Sequence, residues 1–264
     1  LLITSEGAFI IIILYWIITI LKSGTKFLDC VWFCTPWIIK MLVKLENPTL
    51  LSKTVDIISE LVSEVRIKIN EFGLSISAID PANVSMVGLR IPRSAFSQFE
   101  SGNEILGISL ENLRQILKRA GSGSSLILEK KDNTLNIQIH DRIKRNFTLN
   151  LIEIESEDVD FHEKETRMEF ASRVELNSND LIASIEDCAI VADACSFIFR
   201  DGKFIIEAKA LNSAMSEFSS DEARIEGENS KAKYSLEYLG KFMKGAKLTE
   251  KTVLKFGEDH PLKI

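Results

Sequence analysis

The chain has 264 residues, 45% of them apolar and 27% charged, with 38 Asp and Glu against 32 Lys and Arg and a formal net charge of −6. A length and composition of this kind fit one or two globular domains. The acidic balance excludes a protein that holds nucleic acid by bulk positive charge, although an acidic molecule can still present a basic face.

Residues 8–21, AFIIIILYWIITIL, are uncharged and apolar, but a spanning helix needs about 17–25 such residues. Glu6 precedes the run and no A-x-A-like site follows closely, which departs from a signal peptide. The first Met is Met41, where the ordered pattern starts. Residues 1–40 are therefore read as an extension outside the fold, upstream sequence joined by a misplaced start. The competing reading is a membrane anchor.

From Met41 the elements come in regular order. Leu42–Glu46 reads as a short strand, and Pro48 stands at a helix start, where its missing N–H costs nothing. Leu51, Val55, Ile58 and Val62 recur at helical spacing and predict a helix over 49–62. Arg66–Asn70 and Leu74–Ile79 alternate around Glu71-Phe72-Gly73, as a hairpin does, and Val84–Ile91 is a further strand. Leu110, Leu113, Ile116 and Leu117 predict a second helix over 110–120, stopped by Gly121-Ser122-Gly123. Ser125–Glu129, Thr134–His140 and Arg145–Ile152 complete the sheet, with a turn at Asp132-Asn133. Leu151–Phe170 then carries eight acids against Lys164 and Arg167, a connector expected to be solvated. Two more helices are predicted at Ser178–Val191 and Lys233–Lys244.

The chain repeats itself. SLENLRQILKRA (109–120) returns as SLEYLGKFMKGA (235–246), and residues 42–79 parallel 172–209. A period of about 130 residues is too long for a solenoid unit and implies two copies of one domain. The expected organisation is a first domain over 41–150, a connector over 151–170 and a second domain over 171–264. The second copy stops at Ile264, equivalent to about Ile139. Its last strand is therefore expected to be missing, as in a C-terminally truncated domain.

AIDPANVSMV (78–87), the two SLExLxxxLK-type helices, the acidic connector and KFGEDHPLKI (255–264) together resemble archaeal proliferating cell nuclear antigen, the DNA polymerase sliding clamp. The likeness covers about residues 41–264. It implies an α+β fold of two similar clamp domains, three subunits closing a ring, helices lining the hole and sheets outside. It also implies a DNA sliding clamp that tethers polymerase for processive replication.

By the same resemblance, basic residues on the inner helices attract duplex DNA without reading sequence. They are Lys53, Arg114, Lys118, Arg119, Lys241 and Lys244. The third helix departs from the family pattern, with Glu186 and Asp187 and no Lys or Arg. The family also docks partners in an apolar pocket under the connector, through short helical peptides carrying an aromatic pair. Carried over, that pocket takes Ile79 and Met86 from the motif strand, Val159 and Phe161 from the connector, Phe170 just after it, and Pro261 near the end. His162 stands where the family often has Pro. The implied partners are DNA polymerase, the clamp loader (replication factor C), flap endonuclease and DNA ligase. Subunits are expected to join through Arg145–Asn150 of one and Asn212–Phe218 of the next, with identical chains or paralogues.

Nothing in the residues points to catalysis or a cofactor. His140, His162 and His260 are scattered, and no phosphate-binding loop, nucleophile elbow or zinc-protease motif is present. Asp80 in Asp-Pro-Ala-Asn is expected to organise a turn, and Cys188 to pack. Cys30, Cys34, Cys188 and Cys195 show no paired C-x-x-C spacing, which argues against a disulfide framework or zinc site and suits a reducing, intracellular setting; the resemblance implies a cytoplasmic, nucleoid-associated protein. The alternative to a clamp is a membrane-tethered, non-enzymatic interaction protein that uses residues 1–40 as its anchor.

Overall fold

The computed structural model describes residues 41–154, 166–258 and 260–264. Two sets of antiparallel strands, each with two helices, follow one another in the same order. The first set is β1 (Leu42–Leu45), α1 (Thr49–Ile58), β2 (Glu64–Asn70), β3 (Gly73–Ile79), β4 (Met86–Pro92), β5 (Gln98–Glu100), β6 (Glu104–Ser109), α2 (Leu110–Leu117), β7 (Ser125–Lys131), β8 (Thr134–His140) and β9 (Lys144–Asn150). The second is β10 (Ser172–Asn177), α3 (Ser178–Val191), β11 (Ala194–Arg200), β12 (Lys203–Lys209), β13 (Ser213–Phe218), β14 (Ala223–Gly227), β15 (Ser230–Ser235), α4 (Leu236–Ala246) and β16 (Lys251–Phe256).

The sheets of the first domain run β5-β1-β7-β8-β9 and β4-β3-β2-β6. Those of the second run β14-β10-β16 and β13-β12-β11-β15. The sequence repeat is thus a repeat of topology, and the α+β class with two similar domains holds. β16 pairs with β10 on one side, and on the other Lys255 exchanges two backbone hydrogen bonds with Lys263. In the first domain the matching residue of β7, Glu129, pairs with Asn136. Ile264 therefore corresponds to Ile137, in the middle of β8, and not to Ile139.

Each domain packs its sheets and one stripe of each helix around a core. Leu51, Val55 and Ile58 of α1 and Leu110, Leu113 and Leu117 of α2 point into the first core, the spacing that puts side chains on one helix face. In β8, Leu135, Ile137 and Ile139 are buried while the residues between them are partly exposed, the period of two of a half-buried strand. The second core is aromatic. Phe197 meets Tyr234, Phe204 and Phe256 edge-on at 5.3, 5.5 and 6.0 Å between ring centres. The β11–β12 turn uses Asp201 and Gly202, both at positive φ, as a two-residue hairpin turn of this type demands.

Several predicted boundaries move. The first helix stops at Ile58 and not at Val62, because Glu60 and Leu61 donate to Ile57 and Ile58 in tight i→i+3 turns; Val62 stays buried in the turn that follows. The second stops at Leu117 and not at residue 120, where Arg119 and Ala120 make the same kind of turn. The fourth starts at Leu236, since Ser230–Ser235 is strand β15 paired along β11. Val84 and Ser85 belong to a turn, so β4 begins at Met86. Short strands β5 and β14 carry no sequence signal of their own, yet both border the central strands β1 and β10.

Phe197→Ala tests the second core. It removes a fully buried ring with three aromatic neighbours, and urea unfolding is expected to show a loss of about 3–5 kcal/mol.

Candidate docking cleft and helical layer

β3 and β4 pair as far as Ile79 and Met86, and the five residues between them that follow Asp80 close a tight turn. The Asp80 N–H donates to the Ser85 carbonyl at 3.0 Å, and the Asn83 N–H to the Asp80 carbonyl at 2.9 Å. Asn83 takes the left-handed conformation at φ 56°, which Asn tolerates better than most residues.

The Asp80 side chain is buried within this turn. Its carboxylate accepts hydrogen bonds from the backbone N–H groups of Ala82 (3.3 Å), Val84 (2.8 Å) and Ser85 (2.5 Å). It also accepts one from the Tyr238 hydroxyl at 2.8 Å, from helix α4 of the second domain. Burial alone raises a carboxyl pKa. The donors from Ser85, Tyr238, Val84 and Ala82 outweigh it, and Asp80 lies below the ordinary carboxylate value. Tyr238 is shifted up, chiefly because its hydroxyl is bonded to Asp80.

Between this turn and α4 lies a cleft of about 380 Å³. It is lined by Ile79, Val84 and Met86 from around the turn, by Tyr234 of β15 and by Tyr238, Leu239 and Phe242 of α4. Met168 and Phe170 enter from the end of the connector, and Pro261, Leu262 and Ile264 close the remaining side. The Tyr234 hydroxyl donates to the His260 carbonyl at 3.3 Å and so ties that last segment to β15. Burial lifts the Tyr234 pKa to about 12.

Four of the six predicted docking residues, Ile79, Met86, Phe170 and Pro261, therefore line one cleft. Val159 and Phe161 lie outside the described residues. Val84 and the α4 aromatics were not singled out from sequence. Their signal was in the repeat, since Tyr238 and Phe242 stand where the first copy has Asn112 and Ile116. The start of the connector is fixed by β6. The Ile152 N–H donates to the Gly107 carbonyl at 3.0 Å, and a Cβ on Gly107 would sit 2.0 Å from the Ile152 oxygen. Only glycine permits that approach.

Helix α1 lies beside α2 and α4, and α4 beside α3, so the helices form a layer in the order α2-α1-α4-α3. The predicted DNA-contacting cations lie on these helices or, for Lys118 and Arg119, just beyond α2, and most have carboxylate partners. Asp56 of α1 accepts from both Arg114 and Lys118, the latter at 2.9 Å. Those two partners, Lys118 first, hold its pKa below the ordinary value. Arg114 also reaches Glu111 at 3.3 Å. Lys241 pairs with Glu237 at 3.1 Å and lies 5.0 Å over the Tyr238 ring. Lys244 contacts both oxygens of Glu60 at 2.6 Å, across the domain boundary. Lys53 and Arg119 are exposed and make no ion pair among the described residues. α3 presents exposed Asp180, Glu186 and Asp187 and no cation.

Cys188 and Cys195 are buried and in no disulfide, with thiols pushed up by desolvation, Cys195 to about 12. Both pack in the second core.

Comparison with known proteins agrees with this architecture. The family model for the N-terminal domain of proliferating cell nuclear antigen matches residues 41–161. The DNA polymerase sliding clamp of Thermococcus onnurineus is 33% identical over 213 residues, which cover 78% of this chain and 84% of that protein. The sliding clamp of Pyrococcus furiosus is 30% identical over 220 residues, 81% of this chain and 87% of that one. Among solved structures, proliferating cellular nuclear antigen from Entamoeba histolytica superposes with a TM-score of 0.77 at 23% identity, covering 84% of this chain and 91% of its own. That likeness speaks to the fold.

The Asp80 carboxylate gives a pH test. Its native pKa is lowered, so its contribution to stability is complete above the ordinary value of about 3.9 and is lost as pH falls through the lowered native value. Unfolding followed from about pH 6 downward is expected to show a shallower acid decline in Asp80→Asn than in the wild type.

Proposed function

Because the chain belongs to the proliferating cell nuclear antigen family of DNA polymerase sliding clamps, we propose that it encircles duplex DNA as a ring. In that position it tethers DNA polymerase for processive synthesis and offers a docking cleft to replication and repair proteins. One observation carries the docking part of this reading. Ile79, Met86, Phe170 and Pro261 are far apart in the chain yet wall a single apolar cleft. Such a cleft suits a short helix that inserts apolar anchors while the neighbouring backbone is free to pair. Partners of this kind include the clamp loader, replication factor C, flap endonuclease and DNA ligase. The role is one of binding, with no chemical step.

Ring closure is supported by two sheet edges. β9 ends one sheet of the first domain and β13 ends one of the second. A long open edge is an invitation to pair, and β9 of one subunit against β13 of the next gives a head-to-tail contact that closes by rotation. The neighbour is an identical chain or a paralogue. The membrane-tethered alternative draws no support from the relatives, and no helix among the described residues is long and apolar enough to cross a membrane.

Attraction to DNA is uneven around the helical layer. Among the described residues Lys53 and Arg119 make no ion pair, while Arg114, Lys118, Lys241 and Lys244 share their charge with Asp56, Glu237 and Glu60. Phosphate contact is therefore concentrated on the first domain, and acidic α3 repels the backbone. A sliding ring is served by such weak, sequence-blind attraction.

Two outcomes are expected. Lys53→Glu with Arg119→Glu lowers polymerase stimulation on long primed templates more than Lys241→Glu with Lys244→Glu does; equal losses would spread the contact over the whole layer. Met86→Glu, which puts a carboxylate into the apolar wall, abolishes binding of an aromatic-pair peptide in calorimetric titration while circular dichroism stays native.

A further inference from the structure

A second cavity, a trough of about 560 Å³, lies on the outward face of the β13-β12-β11-β15 sheet. Its floor is β11, where Ala194 and Ser196 are small. Ser196 pairs with Lys233 of β15 on one side and with Glu207 of β12 on the other, so long charged side chains flank a short one in a single cross-strand row. Helices α3 and α4 pack against the other face of this sheet, and the trough points away from the helical layer. It adjoins the docking cleft. Tyr234 lines both, and His260, whose carbonyl accepts the Tyr234 hydroxyl, lines the trough while Pro261 lines the cleft.

The charges in the trough are unequal. Lys209 is paired with Glu207, and Glu258 adds a further carboxylate beside His260, whose Nδ1 donates to the Glu258 carbonyl at 2.8 Å. Lys231 and Lys233 are exposed and make no ion pair among the described residues. The trough is therefore net positive in a chain of net charge −6. The sequence repeat sets Lys231 and Lys233 against Ile105 and Gly107 of β6. There the chain covers its own strand, through the Ile152 N–H and the Gly107 carbonyl, at a distance that leaves no room for a Cβ. Lys233 has a Cβ, so β15 does not admit that close backbone approach. What binds at β15 has to meet its side chains.

From this arrangement we propose that the trough is a second docking subsite, which holds an acidic stretch next to the anchor segment in the cleft, with Lys231 and Lys233 on its carboxylates. The inference rests on the docking reading of the cleft. Exposed ion pairs are individually weak, so a free acidic peptide gains little from two of them. A concave site backed by a sheet focuses the field of its charges. A segment already anchored in the cleft also presents its acids at high effective concentration.

The test uses the full chain and an aromatic-pair peptide carrying four Asp or four Asn, placed either before or after the anchors. Calorimetric titration at low salt is expected to show one Asp peptide bound about fivefold more tightly than its Asn counterpart. Lys231→Thr with Lys233→Thr keeps β-forming residues on an exposed edge strand. It should remove that gain and leave both Asn peptides within about twofold of wild type. Lys231→Glu with Lys233→Glu should transfer the gain to a peptide flanked by four Lys. Equal binding of Asp and Asn peptides by the wild type overturns the proposal, as does a gain that survives the Thr pair. A matching loss of duplex DNA binding in the Thr pair assigns the lysines to DNA and overturns it too. If the Thr pair does not fold, the wild type decides by salt: a gain that persists at about 0.5 M is not electrostatic and overturns the proposal. Failure of both Asn peptides to bind the wild type removes the docking reading itself, whereas Asn binding with no Asp gain removes only this inference.

Discussion

The two-domain arrangement depends on the apolar contact that α4 makes with the first core through Tyr238 and Phe242. Phe242 packs against the first core and the second core at once. Full burial of a ring of that size is worth about 1.5–3 kcal/mol and Phe242, partly buried, gains a share of it, against about 0–1 kcal/mol for a single exposed ion pair. The partly exposed Glu60–Lys244 pair crosses the same boundary, but by this comparison it orients the contact and Phe242 holds it. With α4 seated in this way, its neighbours Tyr238 and Leu239 face the motif turn, and a cleft opens between elements that the chain makes more than 150 residues apart.

The same seat determines how the helical layer uses its charges. A sliding surface gains from cations that are present but not tightly committed. Asp56 bonds two of them, and Glu237 and Glu60 one each. On the proposed DNA-facing role, each carboxylate would compete with phosphate at short range, where screening over a Debye length of about 8 Å is weakest. Among the described residues, unpaired Lys53 and Arg119 and paired Arg114 and Lys118 lie on the first domain, paired Lys241 and Lys244 on α4, and only acids on α3. Lys244 shows why position on a helix is a poor guide to role, since its charge is directed at the other domain.

Much of the fold was legible because it follows local periodicity. The alternation in β8 and the i, i+4, i+7 stripe of α1 each dictate one face, and the repeat shows that both domains obey one plan. The misread segments are those where local and tertiary preferences diverge. Ser230–Ser235 carries Lys-Ala-Lys-Tyr, compatible with a helix start, but pairing along β11 makes it a strand. β5 is three residues, and its existence depends on β1 beside it. Ile79 and Met86 were found through the motif around them. Tyr238 was not, because an aromatic at that spacing reads as ordinary packing, and the carboxylate that gives it meaning lies in the other domain.

A cleft with one wall from each domain cannot be indifferent to the angle between them. Its walls are the turn held by Asp80 and the helix held by Phe242, so an occupant contacts both bodies and favours the separation at which it fits. Linkage makes the effect reciprocal: any free energy by which an occupant favours one interdomain angle is returned as a preference for the occupant when that angle is imposed. In a closed ring the neighbouring subunits would constrain that angle as well. An occupant of the cleft and ring assembly would therefore act on the same coordinate, where Phe242 packs on both cores and Tyr238 bonds Asp80.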